Sequence, residues 1–178
     1  MQHQIGAQLR DPCENAGFPA RSGTPSVLQT LILVLIPESS FLDGKVLKRT
    51  LPVFQLPLGP DVPNLRRLPL PQGELAQFYN ADEGIRYIAF IELLPGQVRG
   101  NHYHKVKEEL VYVIRGQVLL SVADVNSKTR ASVDLRAGDL AVIRTGIAHA
   151  LRTVEPGQAI EFSTSRFDQA DIHQFPAT

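Results

Sequence analysis

Over residues 85–164 the sequence is a succession of short β-forming runs cut by turn residues. The runs cover 85–94, 109–115, 117–125, 129–135, 140–145, 148–154 and 158–164. Between them stand Leu94-Pro95-Gly96-Gln97, Arg115-Gly116, Asn126-Ser127, Ala137-Gly138-Asp139 and Glu155-Pro156-Gly157. Short strands recurring at about 8–12-residue spacing, punctuated in this way, predict an all-β sandwich or barrel. Pro95 followed by Gly96 suits the central positions of a type II turn. The sequence carries no glycine-rich phosphate loop, no coiled-coil heptads and no internal repeat.

Upstream the pattern is weaker. Residues 1–26 are polar, rich in turn formers and without periodicity, and they predict an irregular arm that orders only against a partner. Residues 27–36 (VLQTLILVLI) are the one strongly apolar stretch, about half of the roughly 20 residues a membrane-spanning helix needs. Arg10 and Arg21 precede it, as in a signal peptide. Yet Pro37-Glu38-Ser39-Ser40 follows where a small-x-small cleavage site would stand, so a strand or core-facing arm is the better reading. Prolines at 52, 57, 60, 63, 69 and 71 confine the next apolar pieces to loops and edge strands. Residues 74–80 fit a helical turn. The expected organisation is an N-terminal arm over 1–45, with a segment suited to strand exchange, and a barrel domain over 46–178.

Charge and cysteine content narrow the partners. The 178-residue chain has 18 Lys plus Arg and 18 Asp plus Glu, a formal net charge of zero. Phosphate-backbone binding needs a concentrated positive field, so no nucleic-acid partner is expected, and no membrane span either. A neutral surface gives little protection against self-association, which favours a homodimer. The 27–36 run is the candidate exchanged strand, because an unpaired edge is better covered by a partner. Cys13 is the single cysteine, excluding an internal disulfide and fitting a reducing, cytoplasmic setting.

Histidines stand at 3, 102, 104, 149 and 173. His3, in the arm, and His173, near the carboxyl terminus, are read as surface residues. On a strand, His102 and His104 project to the same face, a spacing suited to two ligands on one metal ion. Glu108 or Glu109 supplies a nearby carboxylate. Glu109, Val111 and Val113 alternate with Leu110, Tyr112 and Ile114; both faces are apolar, so periodicity leaves the choice of glutamate open.

The segment resembles the first motif of the cupin superfamily: Gly96, five residues, His102-Tyr103-His104, four residues, Glu109, six residues, Gly116. The second motif is similar but degraded: Gly138, five residues, Arg144-Thr145-Gly146, two residues, His149. Arg144 stands where the family usually has proline, and Thr153 where it has asparagine. The resemblance covers about residues 85–164. It implies an all-β double-stranded β-helix, or jelly roll, with a divalent metal in the barrel mouth on His102, His104, Glu109 and His149. It also selects Glu109 over Glu108. Three imidazoles and a carboxylate suit Fe(II), Mn(II), Ni(II) or Zn(II), and leave an octahedral ion two open positions.

The string Arg99-Gly100-Asn101-His102-Tyr103-His104-Lys105 is further similar to cupins of sugar-nucleotide and polysaccharide biosynthesis, including keto-sugar isomerases. In those the histidine pair transfers protons, which makes His102 and His104 the candidate catalytic residues. Arg99, Tyr103 and Lys105 are the candidate substrate contacts. Three functions follow for a small-molecule ligand or substrate. The first is a metal-dependent isomerase or epimerase acting on a sugar or similar oxygenated compound, with an Fe(II) dioxygenase in the same enzyme class. The second is a non-catalytic small-ligand-binding cupin, favoured by the lack of an extra general base near the motif. The third is a metal-free sugar-nucleotide keto-isomerase.

Overall fold

The structure, a computed structural model, describes residues 36–178. Residues 1–35, which hold most of the expected arm and all of the apolar run except Ile36, lie outside the described residues.

Two long strands organise the barrel: β7 (Glu109–Asp124) and β10 (Ile147–Ser163), antiparallel to each other. Each bends midway, so their halves lie in different walls. In one wall, β1 (Glu38–Phe41), β2 (Val46–Thr50) and β9 (Asp139–Ile143) lead to the first half of β7. The second half of β10 follows, then β5 (Tyr87–Leu93). In the other wall, β8 (Arg130–Arg136) pairs with the second half of β7. The first half of β10 comes next, followed by β6 (Val98–Tyr103) and β11 (His173–Gln174). This is an all-β jelly roll, as expected.

The sequence reading placed turns at Arg115-Gly116 and Glu155-Pro156-Gly157, and hence four strands where two bent ones exist. The reason is steric. The pairing register slips three times between Thr153 and Ala159. A Cβ on Gly157 would lie 1.8 Å from the Arg115 carbonyl oxygen, and one on Gly116 (φ +87°) would lie 2.6 Å from that of Glu155. The glycines let two backbones touch at a corner, and the chain continues through it without reversing. The Leu94–Gln97 turn forms as expected, with Gly96 at φ +69° and the Gln97 N–H donating to the Leu94 carbonyl at 3.2 Å.

A separate hairpin, β3 (Arg66–Leu70) and β4 (Gly73–Gln77), replaces the helical turn expected over 74–80. Cross-strand pairing decides this: Arg67 forks onto Glu74 at 2.9 and 2.7 Å, and Leu68 faces Leu75. Pro69 is accommodated because a two-stranded ribbon is all edge. Ala76 and the following Phe78 and Tyr79 pack over Leu51, Tyr112, Leu140 and Phe162 on the outside of the first wall. That settles the faces of β7: Leu110 and Tyr112 look outward to this cover, whereas Glu109, Val111 and Val113 look into the barrel. Among the described residues no helix is long and apolar enough to cross a membrane.

Candidate metal centre

Local backbone geometry brings the histidines together. Across β6 and β10, His149 faces His102 and Ala150 faces Gly100, so Asn101 is an extra residue and β6 carries a bulge. Gly100 and Asn101 both have positive φ, +100° and +61°. A Cβ on Gly100 would lie 2.5 Å from the His149 carbonyl oxygen, so only glycine allows the strands to close here. The His102 ring ends 4.9 Å from that of His104 and 4.8 Å from that of His149.

Glu109, the first residue of β7, enters from the opposite wall. One ligand atom from each of His102, His104, Glu109 and His149 fits within 4.8 Å of the others. His104, Glu109 and His149 are buried, and His102 is partly exposed. The rear nitrogens are engaged: His104 Nδ1–H donates to the Asp171 carbonyl at 2.8 Å, and His149 Nδ1–H to that of Ile147 at 3.1 Å. This leaves both Nε2 lone pairs aimed inward. Both Nε2 atoms are buried without a hydrogen-bond partner; they face Glu109 oxygens at 3.5 and 3.3 Å. Orphaned buried polar atoms converging beside a carboxylate are what a divalent metal would satisfy, so the residues fit such an ion.

The charges fit as well. Burial works against the Glu109 carboxylate, yet the facing His149, with His104 and Lys107 beside it, holds it well below the usual carboxylate range. Burial opposes charge on His149 too, but Glu109 outweighs it and raises its pKa. His102 goes the other way: burial and then the neighbouring histidines lower its pKa, so it stays neutral near pH 7.

Two further charged residues belong to the cluster and were missed from sequence. Lys107 is buried, its Nζ 3.0 Å from Glu109 Oε2 and 2.6 Å from Glu161 Oε1, and it lies over the Tyr87 ring. Glu161 comes from β10, opposite Val111. The alternation Ala159, Glu161, Ser163 against Ile160 and Phe162 was the available signal for a charge on the inner face. Burial, and then Glu109, raise the Glu161 pKa.

A cleft of about 240 Å³ opens onto the cluster, lined by Arg99, Gly100, His102, Glu109, His149, Leu151 and Glu161. Of the three candidate substrate contacts, Arg99 lines it. Tyr103 packs on the other side of β6 against His173 and Phe175, and Lys105 is exposed with Tyr103 along an outer groove. Glu108 also points away, to Arg144 at the surface. A larger hollow of about 500 Å³ lies elsewhere, between the β3–β4 hairpin and the outer wall, and holds none of the four donors.

Residues 89–164 match the cupin domain model, so the chain carries a cupin domain. No curated protein matches the chain. Among solved structures it is similar to a 4-keto-6-deoxy sugar epimerase from the novobiocin biosynthetic gene cluster of Streptomyces spheroides. The TM-score there is 0.61 at 16% identity, covering 79% of this chain and 73% of that one. A dTDP-4-dehydrorhamnose 3,5-epimerase from Sulfolobus tokodaii gives 0.59 at 16%, covering 76% and 78%. A 3,4-ketoisomerase from Helicobacter canadensis gives 0.54 at 17%, covering 61% and 85%. At these identities the likeness is one of fold.

Proposed function

We propose that this protein is a metal-binding cupin that isomerises or epimerises a small oxygenated substrate of the sugar type. The observation that carries the reading is the pair of buried, unpartnered Nε2 atoms on His104 and His149, facing Glu109. Iron, manganese, nickel or zinc would be held by His102, His104, Glu109 and His149 and would polarise a carbonyl or hydroxyl oxygen as Lewis acid. The chain's own residues supply the rest. Arg99 offers a cation to an anionic group, and Glu161, fixed by Lys107, offers an acceptor to substrate hydroxyls. Where no ion occupies the cluster, His102, the most accessible of the three imidazoles, is free to take a proton from carbon beside a carbonyl. The cleft is smaller than the ~300–1,000 Å³ of ordinary ligand sites, which supports a compact reacting group. The sugar epimerases and ketoisomerases that share the fold support this substrate class.

The test is elemental analysis of protein purified without added metal, beside a His104→Ala variant. Near-stoichiometric metal that is lost in the variant is the expected result. Oxygen consumption by an iron-loaded sample would redirect the assignment to a dioxygenase.

A second reading is a metal-free keto-isomerase using His102 and His104. Lys107 favours it, since its ammonium already compensates Glu109 without an ion. It predicts isomerase activity that survives exhaustive chelation. The neutral net charge supports a homodimer, read by light scattering across concentration.

A further inference from the structure

After β10 the chain passes through a single 3₁₀ turn (Gln169–Asp171) and returns along the outside of β6 as β11. We propose that residues 168–178 form a strap that sets the orientation and tautomer of His104, with Asp171 as its positioning residue. The inference rests on the metal-binding reading and names what orients one ligand within it.

Asp171 grips the His104 segment twice. Its carbonyl accepts from His104 Nδ1 at 2.8 Å. Its carboxylate accepts from three consecutive backbone N–H groups beyond that histidine. Oδ1 takes Lys105 at 2.8 Å and Val106 at 3.2 Å; Oδ2 takes Val106 at 3.2 Å and Lys107 at 3.0 Å. The residue is only 8% exposed, so these charge-assisted bonds work away from competing water. The three N–H groups lead directly from His104 to Lys107 and Glu109, so the grip spans the approach to two candidate ligands.

The rest of the strap fastens the same strand from outside. Phe175 N–H donates to the Asn101 carbonyl at 2.9 Å, and Ala177 N–H to Asn101 Oδ1 at 3.2 Å. His173 and Gln174 pair with Tyr103 and His102, and the Tyr103 ring packs against His173 and Phe175. Asn101 is the bulge residue that aligns His102 with His149, so the strap secures the bulge as well. A tail that merely covered the barrel would need neither a buried carboxylate on a backbone turn nor a carbonyl on the rear nitrogen of a ligand. With Nδ1–H committed, only the Nε2 lone pair faces the cluster, which is the form a metal requires.

The experiment compares full-length wild type, Asp171→Asn, Asp171→Ala, Asp168→Ala and Phe175→Ala. Asp168 only caps the 3₁₀ turn, at 2.9 Å to the Ala170 N–H. Long-range ¹⁵N spectra of metal-free protein report the His104 tautomer, and chelator competition reports Co(II) affinity. The wild type is expected to show His104 in the Nδ1–H form. In Asp171→Asn an amide donor replaces an acceptor against the same N–H groups. That variant should show mixed tautomers and Co(II) affinity about 10–100-fold weaker. Asp168→Ala should match the wild type in both. A folded Asp171→Asn with wild-type tautomer and affinity would overturn the proposal. If the wild type takes up no Co(II), the metal reading fails while the tautomer shift still decides the strap. If both Asp171 variants fail to fold, Phe175→Ala loosens the strap elsewhere. Mixed tautomers there support the proposal, and an unchanged His104 signal overturns it.

Discussion

Val111, Val113, Val118, Leu120, Val122, Leu135 and Ile143 line a dry part of the barrel interior, whereas Glu109, Lys107, His104 and His149 line a polar part built partly on the same strands. The two are about equally hidden: Leu120 is 0% exposed, His149 2%, Glu109 3% and Lys107 4%. Their energetics are opposite. Burying the aliphatic side chains stabilises the fold by roughly 25 cal/mol per Å² removed from water. Burying a charged group costs several kcal/mol, offset only while every partner is present. A barrel could be filled with valine at both ends. The contribution of the polar part to stability is therefore conditional where that of the dry part is not.

Lys107→Met should show this conditionality most strongly. It leaves Glu109 and Glu161 facing each other without their shared cation, a loss of about 3–5 kcal/mol in metal-free protein. Added divalent metal should restore part of it, because an ion bound only by the folded state stabilises that state. Denaturant melts with and without zinc measure both effects; a loss indifferent to metal would erase the distinction between the two parts. Leu120→Ala should cost about 2–5 kcal/mol through the cavity it leaves, with no recovery on adding metal beyond that of the wild type.

Gly100→Ala falls between the two parts. Its φ of +100° and the 2.5 Å approach to the His149 carbonyl predict about 1–3 kcal/mol of strain. Metal stoichiometry should drop more than the melting temperature, since the strain acts at the bulge that aligns His102 with His149. The smallest effect is on pH. The Glu109 pKa is lowered from 4.5, so its contribution is present above that value and fades as pH falls through the folded pKa. The His149 pKa is raised from 6.5, so its contribution is complete below that value and fades as pH rises through the folded pKa. Metal-free protein should be favoured most between about 4.5 and 6.5 by this pair, and metal should shift the optimum upward by displacing the His149 proton. Melting temperature against pH, with and without metal, checks the crossing.

The all-β architecture could be read from the rhythm of strands and turns, because alternation and turn chemistry are local properties. The four candidate donors could be named because they occupy the spacings of two cupin motifs, and the fold does bring them together. What misled was equally local. Gly116 and Gly157 look like turn residues in sequence, yet they are places where two continuous strands touch at a bend. Residues 74–80 have no strong helical or strand pattern of their own, and the pairing of Arg67 with Glu74 made them extended.

By itself the sequence determined the class of fold and, through the spacings of the cupin motifs, named the candidate donors. The first rests on alternation and turn chemistry, which are local properties of the chain. Only the tertiary structure decided that Tyr103 and Lys105 lie outside the cleft while Arg99 lines it. It alone brought Glu161 to Lys107, across 54 residues, and the Asp171 carbonyl to His104, across 67. Contacts over such separations depend on which bent strand crosses which, and no local pattern in the chain encodes that crossing.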